Sequence, residues 1–377
     1  MAVERSASWW IPALLTFASI GALWPQGARP PEPSAKHTEI ELATLSAQLS
    51  EPGGYFDTDN LISNESSYLQ VADQLDHAVP TGGVYVGVGP DQNFSYVARV
   101  RPRHAFILDI RRQNLLEHLL FAALFARADD PYHYLCLLFS RSCPRATPDG
   151  AWRGAERTLQ ALAPPSEAAF AANLRAAYQH IEGPLEFALR AQDRDDIRRI
   201  YRAFFEDQAE IRFRSFGRPR ATHQPTYRTL LRARSPSGRF GSFLDSPEDY
   251  RFVRDLSRSQ RIVPVVGAFD GPHALRAIGR WVRARGLTVS AFYASNVEFY
   301  LMRDHAFERF VANLRELPNR PDSLLIRACF TYDRAHPAAV PGHRSVTLLQ
   351  RLPRFLQLQE AGSYTNDWDV CTVDYLH

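Results

Sequence analysis

The sequence predicts an α/β protein: a mostly parallel sheet flanked by helices and interrupted by one large, mainly helical insertion. Three observations carry this prediction. VYVGV at 84–88 and HAFILDI at 104–110 are short apolar runs separated by a glycine turn and a short helical stretch, the spacing of two parallel strands joined by a crossover. The same alternation resumes after residue 260. The 377-residue chain is 45% hydrophobic and 23% charged, enough apolar material for a sizeable core.

Taken in order, residues 9–24 (WWIPALLTFASIGALW) form an uncharged, mostly apolar run behind Arg5. That length is short for a spanning helix, which needs about 20 residues, and suits a signal-peptide core. The expectation is export or membrane tethering by residues 1–35, which end in the linker GARPPEPSA, followed by a single domain over 36–377. A helix is expected over 37–49, broken by EPGGYFDTDN. Ser63 or Asn64 can cap a second helix over 65–79, with Leu69, Ala72 and Leu75 at helical spacing. The strand at 84–88 follows, then a helix over 93–101, the strand at 104–110 and a strongly apolar helix over 111–128. Roughly 130–245 reads as the insertion, with amphipathic runs at 166–190 and 192–208. Strands are then expected at 261–267, 287–293 and 323–330, and helices at 272–285, 305–317 and 345–359. DVCTVDYL at 369–376 is expected to close an edge of the sheet.

Composition excludes several functions. The chain has 44 basic and 41 acidic residues, a net charge of +3, so it is no general electrostatic glove for nucleic acid. Lys36 is the only lysine, and it sits in a Pro-containing segment. A P-loop, a protein kinase and Schiff-base chemistry each need a lysine elsewhere. No GxSxG elbow is present, so the usual serine-hydrolase layout is unsupported. The histidines lack HxH and HExxH spacing and the cysteines lack CxxC, so no metal is expected. Cys136, Cys143, Cys329 and Cys371 read as buried or incidental thiols.

The most informative segment is VYVGVGPDQNFSYVARVRPRHAFILDI. Gly87 and Gly89 end a strand where a ligand approaches the backbone and a Cβ would intrude. The following amides, at Asp91 and Gln92, open a helix N-terminus that favours a carboxylate or other electron-rich group. Asp109 lies at the carboxyl end of the next strand, where a carboxylate can accept from both hydroxyls of an adenosine ribose. A dinucleotide fingerprint would want a third glycine where Gln92 stands, which argues against a nicotinamide cofactor.

This arrangement resembles the class I, Rossmann-like S-adenosylmethionine-dependent methyltransferases, best over 84–110 and more loosely over 261–300. It also resembles a set of uncharacterised bacterial proteins grouped with that superfamily, through FDTDNLISNE, GVGPDQNFSYVARVRP and YASNVEFYL. The resemblance implies S-adenosylmethionine as cofactor, held by Gly87, Gly89 and Asp109. Asp270, in Gly267-Ala268-Phe269-Asp270, stands offset from an adenine-contacting position. The acid that usually precedes the first glycine is replaced by Tyr85, and Asn64-Glu65 is either a helix start or a replacement swung over the turn. Methyl transfer is an in-line displacement that depends mainly on positioning. Asn296 and Glu298, after the fourth strand, are candidates to orient or deprotonate an acceptor, with Tyr293 as a wall; a helix N-cap explains Ser295-Asn296 equally well. The alternative is a non-catalytic Rossmann-like nucleoside-binding or scaffold protein. An exported protein would meet no S-adenosylmethionine, so the cofactor implies a domain facing the cytoplasm. Finally, 211–244 has no acidic residue but carries Arg212, Arg214, Arg218, Arg220, Arg228, Arg232, Arg234 and Arg239. This stretch could meet an anionic partner, although a solvated, partly paired ribbon is the commoner outcome.

Overall fold

A computed structural model describes residues 41–79, 82–142, 154–217, 224–331 and 334–376. The apolar N-terminal run, its linker, Lys36, Cys143, Arg218 and Arg220 lie outside the described residues. Strands β1 (Val84–Gly87), β2 (His104–Asp109), β3 (Ile262–Val266), β4 (Val289–Ser295), β5 (Asn319–Phe330) and β6 (Ser345–Arg351) form one sheet in the order β3-β2-β1-β4-β5-β6. All neighbours are parallel except β5 and β6. Val84–Gly87 and Ile262–Val266 are buried throughout, as parallel strands covered on both faces must be. The expected α/β architecture is thus present.

Helices α1 (Leu42–Leu49), α2 (Ala72–Ala78), α3 (Gln92–Val100) and α4 (Arg112–Arg127) accompany the first two strands. The insertion supplies α5 (Pro131–Leu138), α6 (Ala155–Ala161), α7 (Glu167–Glu182), α8 (Ala191–Asp207), α9 (Tyr227–Leu231) and α10 (Pro247–Arg258). Its starts follow local chemistry: Asp130 accepts from His133 N at 2.7 Å before Pro131, and Ser246 accepts from Asp249 N at 3.2 Å before Pro247. The α/β pattern resumes with α11 (Ala274–Ala284), α12 (Val297–Arg303) and α13 (Phe307–Arg315), and α14 (Leu352–Glu360) and α15 (Asp367–Thr372) end the chain.

Four expectations need correction. The stretch 345–359 is not one helix: Ser345–Arg351 pairs antiparallel with β5, and a helix begins only at Leu352. Pro353 has no N–H for a helix interior and marks a first turn instead. The segment 369–376 begins as the end of α15 and pairs with the sheet backbone at a single bridge, where Leu376 N donates to Leu349 O at 2.7 Å, rather than closing the edge as a strand. The second helix is confined to Ala72–Ala78, because the residues before it are pinned elsewhere: Ser67 Oγ bonds the hydroxyls of Ser345 and Thr347, and Tyr68 OH donates to Leu230 O. Nor are the three described cysteines thiols. Cys329 and Cys371 form a disulfide, and Cys136 is disulfide-bonded.

Candidate functional site

Strand β1 runs into β2 on one side of the sheet, whereas β4 runs into β5 on the other. The carboxyl ends of β1 and β4 therefore flank a topological switch point, where open α/β sheets form a ligand crevice. A cavity of about 680 Å³ opens there. Its floor comes from Gly89 after β1, Asp109 after β2, Gly267–Asp270 after β3 and Ser295-Asn296 after β4. Two further pieces wall it: the loop from Tyr55 to Glu65, and Phe213, Ser215 and Gln224 from the insertion.

The glycine turn is built for close approach at one residue and for packing at the other. Gly89 has φ +85°, a left-handed backbone that an L side chain resists. Its carbonyl accepts from His118 Nε2 at 2.9 Å; burial lowers His118 to about 4, so its imidazole is neutral. Gly87 instead makes room for its own neighbours, since a Cβ would lie 2.1 Å from Asn93 Oδ1 and 2.6 Å from the Tyr85 hydroxyl. Those two groups bond each other at 2.7 Å.

Asp109 reaches the crevice, but both its oxygens are engaged. Oδ1 accepts from the Arg111 backbone N–H at 2.9 Å and from Nε at 3.1 Å, and Oδ2 accepts from Nη2 at 2.8 Å. Both side chains are about 95% buried, and Arg111 Nη1 also donates to Asp59 O at 2.7 Å. Asp270 lines the crevice and takes Arg309 at 2.8 Å. Asp91 lies outside it, its Oδ2 accepting from the Tyr227 hydroxyl at 2.5 Å, and burial raises it to about 6. Gln92 lines the crevice, its amide donating to Tyr293 OH at 3.0 Å.

Asn296 stands in the crevice at the start of α12 without capping it through its side chain. Glu298 does not. It faces a smaller cavity beside the Cys329–Cys371 disulfide, and its carboxylate is clasped by the buried Arg327 at 2.8 and 3.2 Å. Lying outside the main crevice and tied to Arg327, it is not placed to serve an acceptor there. Burial raises its pKa even so.

Other site residues were less legible in sequence. Glu65 does not begin a helix; it comes over the strand ends, fully buried, and accepts from the hydroxyls of Ser295 and Tyr293, the latter at 2.7 Å. Burial lifts it to about 7. Thr58 Oγ1 and Gln92 Oε1 are buried, line the crevice and have no hydrogen-bond partner. Such orphaned groups cost free energy unless a ligand or water meets them. The spacing Asp-Ile-Arg after β2 was the available signal for Arg111, and the polar cluster FDTDNLISNE the one for Thr58 and Glu65. Among the described residues no cluster of ligating side chains could hold a metal ion.

In the arginine-rich stretch Arg214 pairs with Asp207, Arg228 with Glu210 and Glu156, and Arg239 with Asp73 and Asp76. Among the described residues no helix is long and apolar enough to cross a membrane.

Fold and site together define a doubly wound α/β protein with a crevice of about 680 Å³ at its switch point. The chain belongs to the family described as a domain of unknown function (DUF7790), which matches residues 60–147 and 150–369. No curated protein matches it.

Proposed function

We propose that this protein binds a nucleoside-sized ligand in the switch-point crevice. The observation that carries the reading is the cavity of about 680 Å³ at the ends of four strands, floored by the left-handed Gly89 turn and lined by Thr58 and Gln92, each of which also holds a buried polar atom that no protein group meets. The volume falls in the range of small-molecule sites, and Phe213, Phe299 and Tyr300 offer aromatic surface for a base. Glycine at 89 fits the close approach of an S-adenosylmethionine tail. The sugar end of that cofactor does not fit: Asp109 cannot accept two ribose hydroxyls while both its oxygens hold Arg111. Binding without methyl transfer is therefore the reading the geometry supports best. Methyl transfer is the second reading, supported by the resemblance and by Asn296 in the crevice.

The disulfides favour a ligand met in an oxidising compartment over a donor kept in the cytoplasm. The paired arginines at 214, 228 and 239 favour a solvated ribbon over an anion-binding face.

Calorimetric titration of the full chain with adenosine, S-adenosylmethionine and S-adenosylhomocysteine tests the reading. At least one is expected to bind with Kd below about 1 mM, and Ala268→Trp, which fills the crevice, is expected to abolish the heat. Saturable binding unchanged in the folded Trp variant, or no binding by any of the three, would overturn it. Binding of S-adenosylmethionine with slow release of S-adenosylhomocysteine would favour the second reading.

A further inference from the structure

Strand β4 ends on an unusual residue. Ser295 has φ +54°, a left-handed backbone seldom adopted by a residue with a side chain, in the turn Tyr293-Ala294-Ser295-Asn296-Val297 that leads into α12. Its hydroxyl donates to Glu65 Oε1, and Glu65 Oε2 accepts from the Tyr293 hydroxyl at 2.7 Å. That hydroxyl accepts in turn from Gln92 Nε2 at 3.0 Å. One hydrogen-bonded chain thus joins α3, β4 and the covering loop and ends at a serine lining the crevice.

We propose that Ser295 is a nucleophile and Glu65 its general base, giving the crevice an esterase activity toward small carboxylic esters. Nucleophile, base and orienting group stand in the relation that defines such sites on unrelated folds, with Tyr293 and Gln92 as positioning residues. Ser295 Oγ adds to the ester carbonyl carbon while its proton passes to Glu65. The bond from that carbon to the alcohol oxygen then breaks, and the departing oxygen takes the proton back from Glu65. Water, deprotonated by the same carboxylate, cleaves the acyl-serine, releasing the acid and restoring the serine hydroxyl. The Phe56–Tyr300 edge pair, with ring centres 5.0 Å apart, and the half-exposed Phe299 provide apolar surface for the acyl group.

The surroundings of Glu65 suit a base at neutral pH. The titratable groups facing it are the phenols of Tyr85 from β1, Tyr96 from α3 and Tyr293 from β4, all buried and raised well above 10, hence neutral. Burial raises the carboxyl, the hydroxyls of Ser295 and Tyr293 offset part of that rise, and no cation figures among the causes of its shift. Tyr293 and Val297 occupy the places that glycines fill in the familiar elbow, which is why that motif is absent from the sequence.

The inference rests on the crevice accepting a small molecule, and its test needs no nucleoside. The full chain, treated with diisopropyl fluorophosphate, is expected to gain one phosphoryl adduct that peptide mapping places on Ser295. Labelling should speed up as pH rises through about 7, where Glu65 becomes ionised. Ser295→Gly, which suits the left-handed backbone, should abolish it, and Glu65→Gln should slow it by about 100-fold. No adduct on Ser295 of the folded protein at pH 8, or equal rates with Glu65→Gln, would overturn the proposal. If the Gln variant does not fold, the wild-type profile decides: a rate flat from pH 5.5 to 9 overturns it, and a rise through about 7 supports it.

Discussion

At the level of single residues the site turns on how carboxylates are shared. Asp109 stands at the end of β2 where a sugar-binding acid is expected, yet Arg111, two residues on, folds back and takes both its oxygens. Spacing after a strand says where a side chain starts, not which neighbour reaches it first. The pair is almost fully buried, so its two members depend on each other. Asp109→Asn is expected to cost about 3–5 kcal/mol in urea unfolding, because a guanidinium is left uncompensated in the interior. The double variant Asp109→Leu/Arg111→Met should recover most of that loss. A single variant as stable as the wild type would mean that water reaches the pair. Glu298 follows the same logic: its place in the first turn of α12 was readable, but its partner Arg327 lies on β5, 29 residues away.

Among the elements, those built by local chemistry were the legible ones. The strands at 84, 104, 262 and 289 and the helices at 112, 167, 191 and 274 fall where apolar periodicity and caps put them. The failures are segments whose partners are remote. The run from Ser345 carries apolar residues compatible with either period, and pairing with β5 makes it a strand. The disulfide between Cys329 on β5 and Cys371 on α15 closes a separation of 42 residues and ties the terminal helix to the sheet. Loop-closure entropy assigns it about 4 kcal/mol as an upper figure. The double variant Cys329→Ala/Cys371→Ala is therefore expected to lose about 2–4 kcal/mol in urea unfolding, while dithiothreitol, which also reduces the bond at Cys136, should destabilise the wild type by at least as much. A loss below about 0.5 kcal/mol would show α15 held by packing and its capping box at Asn366 and Asp369 alone.

Across the whole molecule, the described residues beyond 40 form one compact unit, and the insertion is part of the site. Asp59 and Arg214 exchange hydrogen bonds at 2.9 Å, and Phe216 N donates to Asp57 O at 2.7 Å, so the insertion clamps the loop that covers the crevice. The same enclosure buries several carboxyls. Burial raises Glu65 to about 7 and Asp91 to about 6, and pushes Glu117 upward. A carboxyl raised in the native state keeps its proton after the unfolded chain has lost it, so stability falls as pH rises between the two values. Glu65 alone is worth about 3 kcal/mol across that window. Asp193 works oppositely: against its burial, Arg112 and Arg190 hold it below the ordinary range, and its contribution is lost only in strong acid. Buried His118, lowered to about 4, acts against the carboxyls between pH 4 and 6.5, so the fall emerges above that range: Tm is expected to drop by about 5 °C from pH 6.5 to pH 8, with Glu65→Gln flattening part of the slope. A Tm that is level or rises over this interval in calorimetry would contradict it. Sequence by itself determined the α/β class, most strand and helix positions and the glycine turn at the strand ends, because periodicity, caps and turn residues act over a few neighbours. Only the tertiary structure decided that Arg111 occupies Asp109, that Glu65 swings onto Ser295, that Glu298 faces away and that the cysteines are bonded. Each of these is a contact between side chains whose meeting depends on how distant segments pack, and no local pattern encodes it.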